Sequence, residues 1–128
     1  MQVFGLGIDV VEVARVAAAI DKHGDTYLDK IFTSNEREYC DSRHDPVIHY
    51  AARFAAKEAV AKALGTGISK HAALHDLEVG HHESGQPCIF LSGAANDFAK
   101  SHGISQIHLS LTHTNDYAAA NAVALSDG

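Results

Sequence analysis

Polar and apolar residues change their period several times along this chain, and each change marks an element. From Val3 to Val11 apolar and β-branched residues dominate, interrupted by Gly5 and Gly7, which predicts a buried first strand ending near Asp9. Val13, Val16, Ala17 and Ile20 then recur at helical spacing, with Gly24 as the stop signal, so a first helix follows. Thr33 with Glu36 three residues on is a capping-box pattern and predicts a short polar helix to about Ser42. Asp45 before Pro46 places a cap ahead of proline at the first helical position, and neither proline nor glycine recurs until Gly65. At 1.5 Å per residue, a helix from Pro46 to Leu64 runs roughly 28 Å.

Beyond Gly65-Thr66-Gly67, the segments Leu77 to His82 and Pro87 to Leu91 flank Glu83-Ser84-Gly85-Gln86 and predict a hairpin. Ser92 to His102, closed by Gly103, predicts a helix. Gln106 to Thr112 alternates, with Ile107, Leu109 and Leu111 on one face, and Asn115-Asp116 turns the chain into a last strand from Tyr117 to Leu125. No repeat, low-complexity tract or linker divides these elements. The pattern predicts an α+β fold, helices packed on a largely antiparallel sheet, in one domain over residues 1–128.

Composition narrows the class. Apolar residues make up 46% and charged residues 20%, as in a globular protein. A net charge of −6 argues against a nucleic-acid surface. No apolar run suits a membrane helix and no secretory leader opens the chain, so the cytoplasm is the expected compartment. Cys40 and Cys88 are too few for a disulfide framework and are expected as reduced, buried thiols. The ten histidines are scattered, lack zinc-ligand spacing, and could shift the net charge upward below about pH 6. His81 and His82 are expected in a solvated hairpin.

Three places could carry chemistry. On the long helix Glu58 and Lys62 fall about 40° apart, so a carboxylate and an ammonium share a stripe. That is either an ordinary surface pair or part of a site. Alanines at 51, 52, 55, 56, 59, 61 and 63 keep this helix slim enough for close approach, while Arg53, Lys57, Val60 and Leu64 occupy its other side. Asp9 ends an apolar strand, where a carboxylate is costly unless paired. It either caps the first helix or, if brought against Glu58, completes a pair of hard oxygen ligands of the kind Mg²⁺ favours, with Lys62 one turn on to meet a phosphate. Ser110-Leu111-Thr112-His113-Thr114 puts two hydroxyls opposite Leu111 and closes on His113, a surface or core histidine unless a ligand lies beside it. Gly65-Thr66-Gly67 follows a helix, so it reads as a C-cap and not as a P-loop.

Together, Gly5-Leu6-Gly7-Ile8-Asp9-Val10-Val11-Glu12-Val13, the run Arg53-Phe54-Ala55-Ala56-Lys57-Glu58-Ala59 through Lys62-Ala63-Leu64-Gly65-Thr66-Gly67-Ile68, and Ser110-Leu111-Thr112-His113-Thr114 resemble the holo-acyl-carrier-protein synthase family in order and over nearly the whole chain. The resemblance implies the 4′-phosphopantetheinyl transferase fold. It also implies transfer of phosphopantetheine from coenzyme A to a serine of an acyl carrier protein or carrier domain, releasing adenosine 3′,5′-bisphosphate, in fatty acid biosynthesis. It implies Mg²⁺ on Asp9 and Glu58, Lys62 against a phosphate, and a homotrimer with coenzyme A between subunits. Arg53, Phe54, Gly65, Thr66, Gly67, Ile68 and His113 match positions lining that cleft. The base that takes the serine proton stays open between Glu58 and solvent at the metal. In one respect the chain departs from the family: its first helix carries Arg15 and Lys22 beside Glu12, Asp21 and Asp25, where a basic face is usual, so Arg37 and Arg43 are candidates to supplement carrier binding. The same residues also permit hydrolysis of a nucleotide pyrophosphate, or a docking module with a vestigial site.

Overall fold

The computed structural model describes residues 1–127. Strand β1 (Gln2–Glu12) leads through helices α1 (Val13–His23), α2 (Asp25–Ile31) and α3 (Ser34–Asp41) to the long helix α4 (Pro46–Leu64). A short 3₁₀ turn (Leu74–Asp76) opens the hairpin of β2 (Leu77–His81) and β3 (Pro87–Leu91), and α5 (Gly93–Ser101), β4 (Ile104–His113) and β5 (Tyr117–Ser126) complete the chain. The strands form an antiparallel three-stranded sheet in the order β1-β5-β4 and a separate two-stranded sheet of β2 and β3.

Helix α4 organises the molecule by lying on the three-stranded sheet. Ala118, Ala120, Ala122 and Ala124, alternate residues of β5, all face it and are at most 3% exposed. The helix meets them with alanine, and its alanines 51, 52, 55, 56, 59, 61 and 63 are all equally buried. On β1 the contact is closer still. A Cβ on Gly7 would stand 1.8 Å from the Ala59 carbonyl oxygen, and one on Gly5 would stand 2.0 Å from that of Ala63. Two glycines therefore let backbone pack on backbone, the use a strand makes of glycine where another segment approaches.

This corrects the expectation of a buried first strand. Its glycines, not its large apolar residues, face the core, and the alternation sends Leu6, Ile8 and Val10 outward at 69%, 65% and 61% exposure. The other expected elements form within a residue or two. Thr33 and Glu36 make the capping box in full, whereas Asp45 makes no side-chain cap bond. Helix α2 had no sequence signal beyond Gly24, which gives φ 54° at its start. Cys40 is buried, while Cys88 is only partly covered.

Beneath α4 lies a buried ion pair. Lys57 Nζ sits 2.7 Å from Glu36 Oε1 with both side chains fully enclosed. Lys57 also donates to the carbonyls of Leu74 (2.9 Å) and Leu77 (2.8 Å), and Glu36 Oε2 accepts from Val79 N–H (2.8 Å). The pair ties α3 and α4 to the hairpin with every polar group partnered, the condition under which a buried charge is tolerated.

Candidate functional site

The crossing of α4 over β1 places Asp9. Two strand residues advance about 6.7 Å and four helical residues about 6 Å, so the two rows stay in step. Gly5 lies against Ala63 and Gly7 against Ala59. By the same step Asp9, next on the same face, falls nearest Ala55, and Glu58 and Lys62, further along that stripe of the helix, reach it because helical side chains lean toward the N-terminus. Lys62 Nζ donates to the Ile8 carbonyl at 2.9 Å and to Asp9 Oδ1 at 3.2 Å, with the lysine side chain 49% exposed and the aspartate 19%.

Asp9 and Glu58 line one cleft of about 470 Å³, walled also by Val11, Val16, Tyr27, Phe54 and Tyr117, with Glu12 and Arg15 among its polar residues. Burial raises the proton affinity of Glu58, and the neighbouring Asp9 charge raises it further, against the opposing pull of Lys62. Two carboxylates thus face one space with more negative charge than one lysine offsets. Their oxygens are the hard donors that Mg²⁺ takes. Among the described residues no third His, Cys, Asp or Glu joins them. A two-carboxylate set suits an ion that keeps several waters and takes further ligands from phosphate. The residues present fit such an ion.

The remaining candidate residues lie apart from this cleft, Phe54 excepted. Gly65 caps α4 in the left-handed conformation at φ 81°, Gly67 follows at φ 59°, and the amides of Thr66 and Gly67 fold back on the Ala61 carbonyl at 3.2 and 3.1 Å. Arg53 is 2% exposed. Its guanidinium stacks 4.0 Å over the Tyr39 ring, and its Nη2 lies 3.3 Å from His81 Nε2. His113, at the end of β4, meets His49 of α4 with ring centroids 5.9 Å apart, and His49 meets Tyr39 at 6.0 Å. One chain therefore brings together Asp9, Glu58, Lys62 and Phe54, and separately Arg53 and His113.

Several participants escaped the sequence reading. Tyr27 reaches the cleft from α2, an element without a clear signal, and Tyr117 reaches it from the first position of β5. His81 stays exposed at the end of β2, as expected for the hairpin, and one side of its ring packs on Tyr39 with centroids 4.7 Å apart. Of the cations suggested for carrier binding, Arg37 is occupied internally: its Nη2 bonds Asp25 at 2.7 Å and its Nη1 pairs with Asp29. Arg15 is 81% exposed beside Glu12 at 3.6 Å.

The chain as a whole is similar to known proteins. Residues 5–122 match the 4′-phosphopantetheinyl transferase superfamily. The holo-[acyl-carrier-protein] synthase of Ruminiclostridium cellulolyticum is 49% identical over 119 residues, covering 92% of this chain and 89% of that protein. The crystal structure of the Neisseria meningitidis holo-[acyl-carrier-protein] synthase superposes with a TM-score of 0.92 at 34% identity, over 98% of this chain and all of the other. The Helicobacter pylori synthase, crystallised in complex with coenzyme A, gives a TM-score of 0.84 at 27% identity over 94% of this chain and 99% of its own.

Proposed function

This chain belongs to the 4′-phosphopantetheinyl transferase superfamily, among the holo-acyl-carrier-protein synthases, and from that membership we propose how its own residues perform the reaction. The enzyme transfers 4′-phosphopantetheine from coenzyme A to a serine of apo-acyl carrier protein and releases adenosine 3′,5′-bisphosphate. The observation that carries the mechanistic reading is the convergence of Asp9, Glu58 and Lys62 where α4 crosses β1.

In the reaction the serine Oγ bonds to the β-phosphorus of coenzyme A, the bond from that phosphorus to the bridging oxygen breaks, and adenosine 3′,5′-bisphosphate departs with the bridging oxygen. Asp9 and Glu58 would hold Mg²⁺, which when bound supplies Lewis-acid neutralisation of the pyrophosphate charge. Lys62 presents a fixed ammonium to the phosphate oxygens on which charge grows, a preorganised donor of the kind that dominates such catalysis. Phe54, Tyr27 and Val16 wall the cleft and limit water around the reacting phosphorus. The serine proton leaves to Glu58, whose proton affinity burial and the Asp9 charge raise, or to solvent beside it.

We further propose that the enzyme works as a single-domain homotrimer in the cytoplasm, with coenzyme A in a cleft completed by a neighbouring copy. Leu6, Ile8 and Val10 form an exposed apolar row on β1, and a row of this kind marks an association surface. In such an assembly the Arg53 and His113 cluster, Phe54 and the Gly65-Thr66-Gly67 turn would serve coenzyme A together with the Asp9 and Glu58 cleft of a neighbour. Mass spectrometry of apo-acyl carrier protein incubated with coenzyme A, Mg²⁺ and this protein tests the reading. A gain of one phosphopantetheine, absent with Asp9→Ala and Glu58→Ala, is the expected result; no gain overturns it.

A further inference from the structure

Lys62 is engaged at the carboxylates of the cleft by two bonds of unequal quality. Its Nζ donates to the Ile8 carbonyl at 2.9 Å and to Asp9 Oδ1 at 3.2 Å. An ammonium has three donors, so one more is free to meet a ligand. The Asp9 contact is the longer of the two, and the pair stands partly in water, with side chains 49% and 19% exposed. An ion pair so placed is screened and worth little, so Asp9 can exchange the lysine for another cation at small cost. The carbonyl contact is to backbone and does not depend on what Asp9 holds, so it keeps the lysine stem in place while the head turns. Burial and the Asp9 charge both disfavour ionised Glu58, and Lys62 opposes them. The other cation at the cleft, Arg15, is 81% exposed and pairs with Glu12 at 3.6 Å. Lys62 is therefore what offsets the repulsion between Asp9 and Glu58 in the protein alone. A divalent cation held by these carboxylates competes with the ammonium at Asp9, and positive charges that close repel appreciably even in water.

We propose that Lys62 is an exchangeable counter-ion, which neutralises Asp9 and Glu58 in the protein alone and turns from Asp9 to a ligand phosphate as a divalent cation takes its place. This rests on the reading of Asp9 and Glu58 as cation ligands given above and goes beyond it. The lysine both guards the carboxylates from a bare cation and presents itself to the phosphate, with the Ile8 carbonyl as its pivot. A cation arriving alone meets carboxylates whose charge is already partly neutralised. A cation arriving with a phosphate meets a lysine that has another anion to turn to. Cation and phosphate therefore bind cooperatively, and by linkage each tightens the other by the same factor. Lys62 in this way keeps the cleft from filling with a cation unaccompanied by coenzyme A.

Mn²⁺ is a suitable probe, since the fraction left free in solution is read directly by electron paramagnetic resonance. Titrated into the intact protein without coenzyme A, it should bind Lys62→Met about tenfold more tightly than the wild type, the size expected for removing one charge a few ångströms from a divalent ion in a largely aqueous setting. Lys62→Gln keeps a donor for the Ile8 carbonyl and removes the charge; it should show the same gain, and it guards against a fold defect in the methionine variant. Adding Asp9→Asn to Lys62→Met should abolish the gain. With saturating coenzyme A, and after correction for Mn²⁺ held by free coenzyme A, the wild type should gain more Mn²⁺ affinity than Lys62→Met does, because only the wild type has an ammonium to release from Asp9. Equal or weaker Mn²⁺ binding by both lysine variants, a gain that survives Asp9→Asn, or the same coenzyme A enhancement in wild type and variant would each overturn the proposal. None of these measurements uses a carrier protein. Affinities ranked as expected without transfer overturn the transferase reading alone, and transfer without that ranking overturns the exchange alone.

Discussion

Lys62 and Asp9, far apart in sequence, meet at 3.2 Å because the helix and the strand run past each other in step. The lysine also takes the Ile8 carbonyl, so its ammonium is held at the mouth of the cleft before any ligand arrives. Replacing Glu58 by Gln keeps the shape and removes a charge from the pair. Transfer to apo-carrier protein should fall by about 10²-fold or more, the size of effect seen when one preorganised electrostatic group is lost. Lys62→Met should do the same, with circular dichroism unchanged in both.

Gly7 decides how near α4 can come. Its added Cβ would lie 2.8 Å from the Ala59 carbonyl carbon and 2.9 Å from the Ala63 nitrogen, besides overlapping the Ala59 oxygen. None of these is the end of a flexible side chain, so the helix has to lift. Gly7→Ala should cost about 3 kcal/mol in urea unfolding, the upper range for overpacking. Because Asp9 is two residues on and Glu58 is on the displaced helix, transfer should fall even at temperatures where the variant is folded.

Most of the secondary structure was legible because its signals are local. The Thr33–Glu36 box, proline at the start of α4 and Gly65 at its end act through neighbouring backbone groups, and each behaves in the fold as its chemistry requires. The orientation of β1 was not legible. Its apolar residues suggested burial, but the partner helix is faced with alanine and needs the strand's glycines, so Leu6, Ile8 and Val10 turn outward. The motif residues Asp9, Glu58 and Lys62 could be named from their types and order. Their meeting depends on the helix–strand register, which no local pattern encodes. The histidine cluster was invisible for the same reason: His49, His81 and His113 come from three elements, and sequence spacing shows only scatter.

Glu36 and Lys57 give a test of interior electrostatics. Lys57→Met leaves the Glu36 carboxylate enclosed with only the backbone N–H groups of Thr33 and Val79 as partners, and should destabilise the protein by roughly 3–5 kcal/mol. Removing both charges with Glu36→Gln and Lys57→Met should cost less than the single lysine change. Chemical denaturation of the three variants measures the difference; a double variant less stable than Lys57→Met would show that the pair itself contributes net stability.

The apolar row on β1 predicts an assembly. Ile8 stands in the middle of it at 65% exposure, pointing away from α4, so a lysine there meets water in an isolated chain and a neighbour's apolar surface in a trimer. Ile8→Lys should shift the mass found by light scattering from trimer towards monomer. Transfer should decline with it, since the proposed coenzyme A cleft is shared between copies.

The histidines also set how the free protein responds to acid. In the folded chain His49 is held below its ordinary pKa, first by burial and then by Arg53, Arg43 and His113; His81 is held down by burial, Arg53 and Arg43. In the unfolded chain both return to about 6.5. Between the folded and unfolded values the unfolded state binds more protons, so stability rises with pH across that interval. The contribution is complete above about pH 6.5 and is lost as pH falls through the folded values. Thermal unfolding in a buffer without polyvalent anions should therefore show a lower midpoint at pH 5.5 than at pH 7.5. The His49→Gln, His81→Gln variant should show a smaller drop. A drop of the same size in the variant would place the acid sensitivity elsewhere in the molecule.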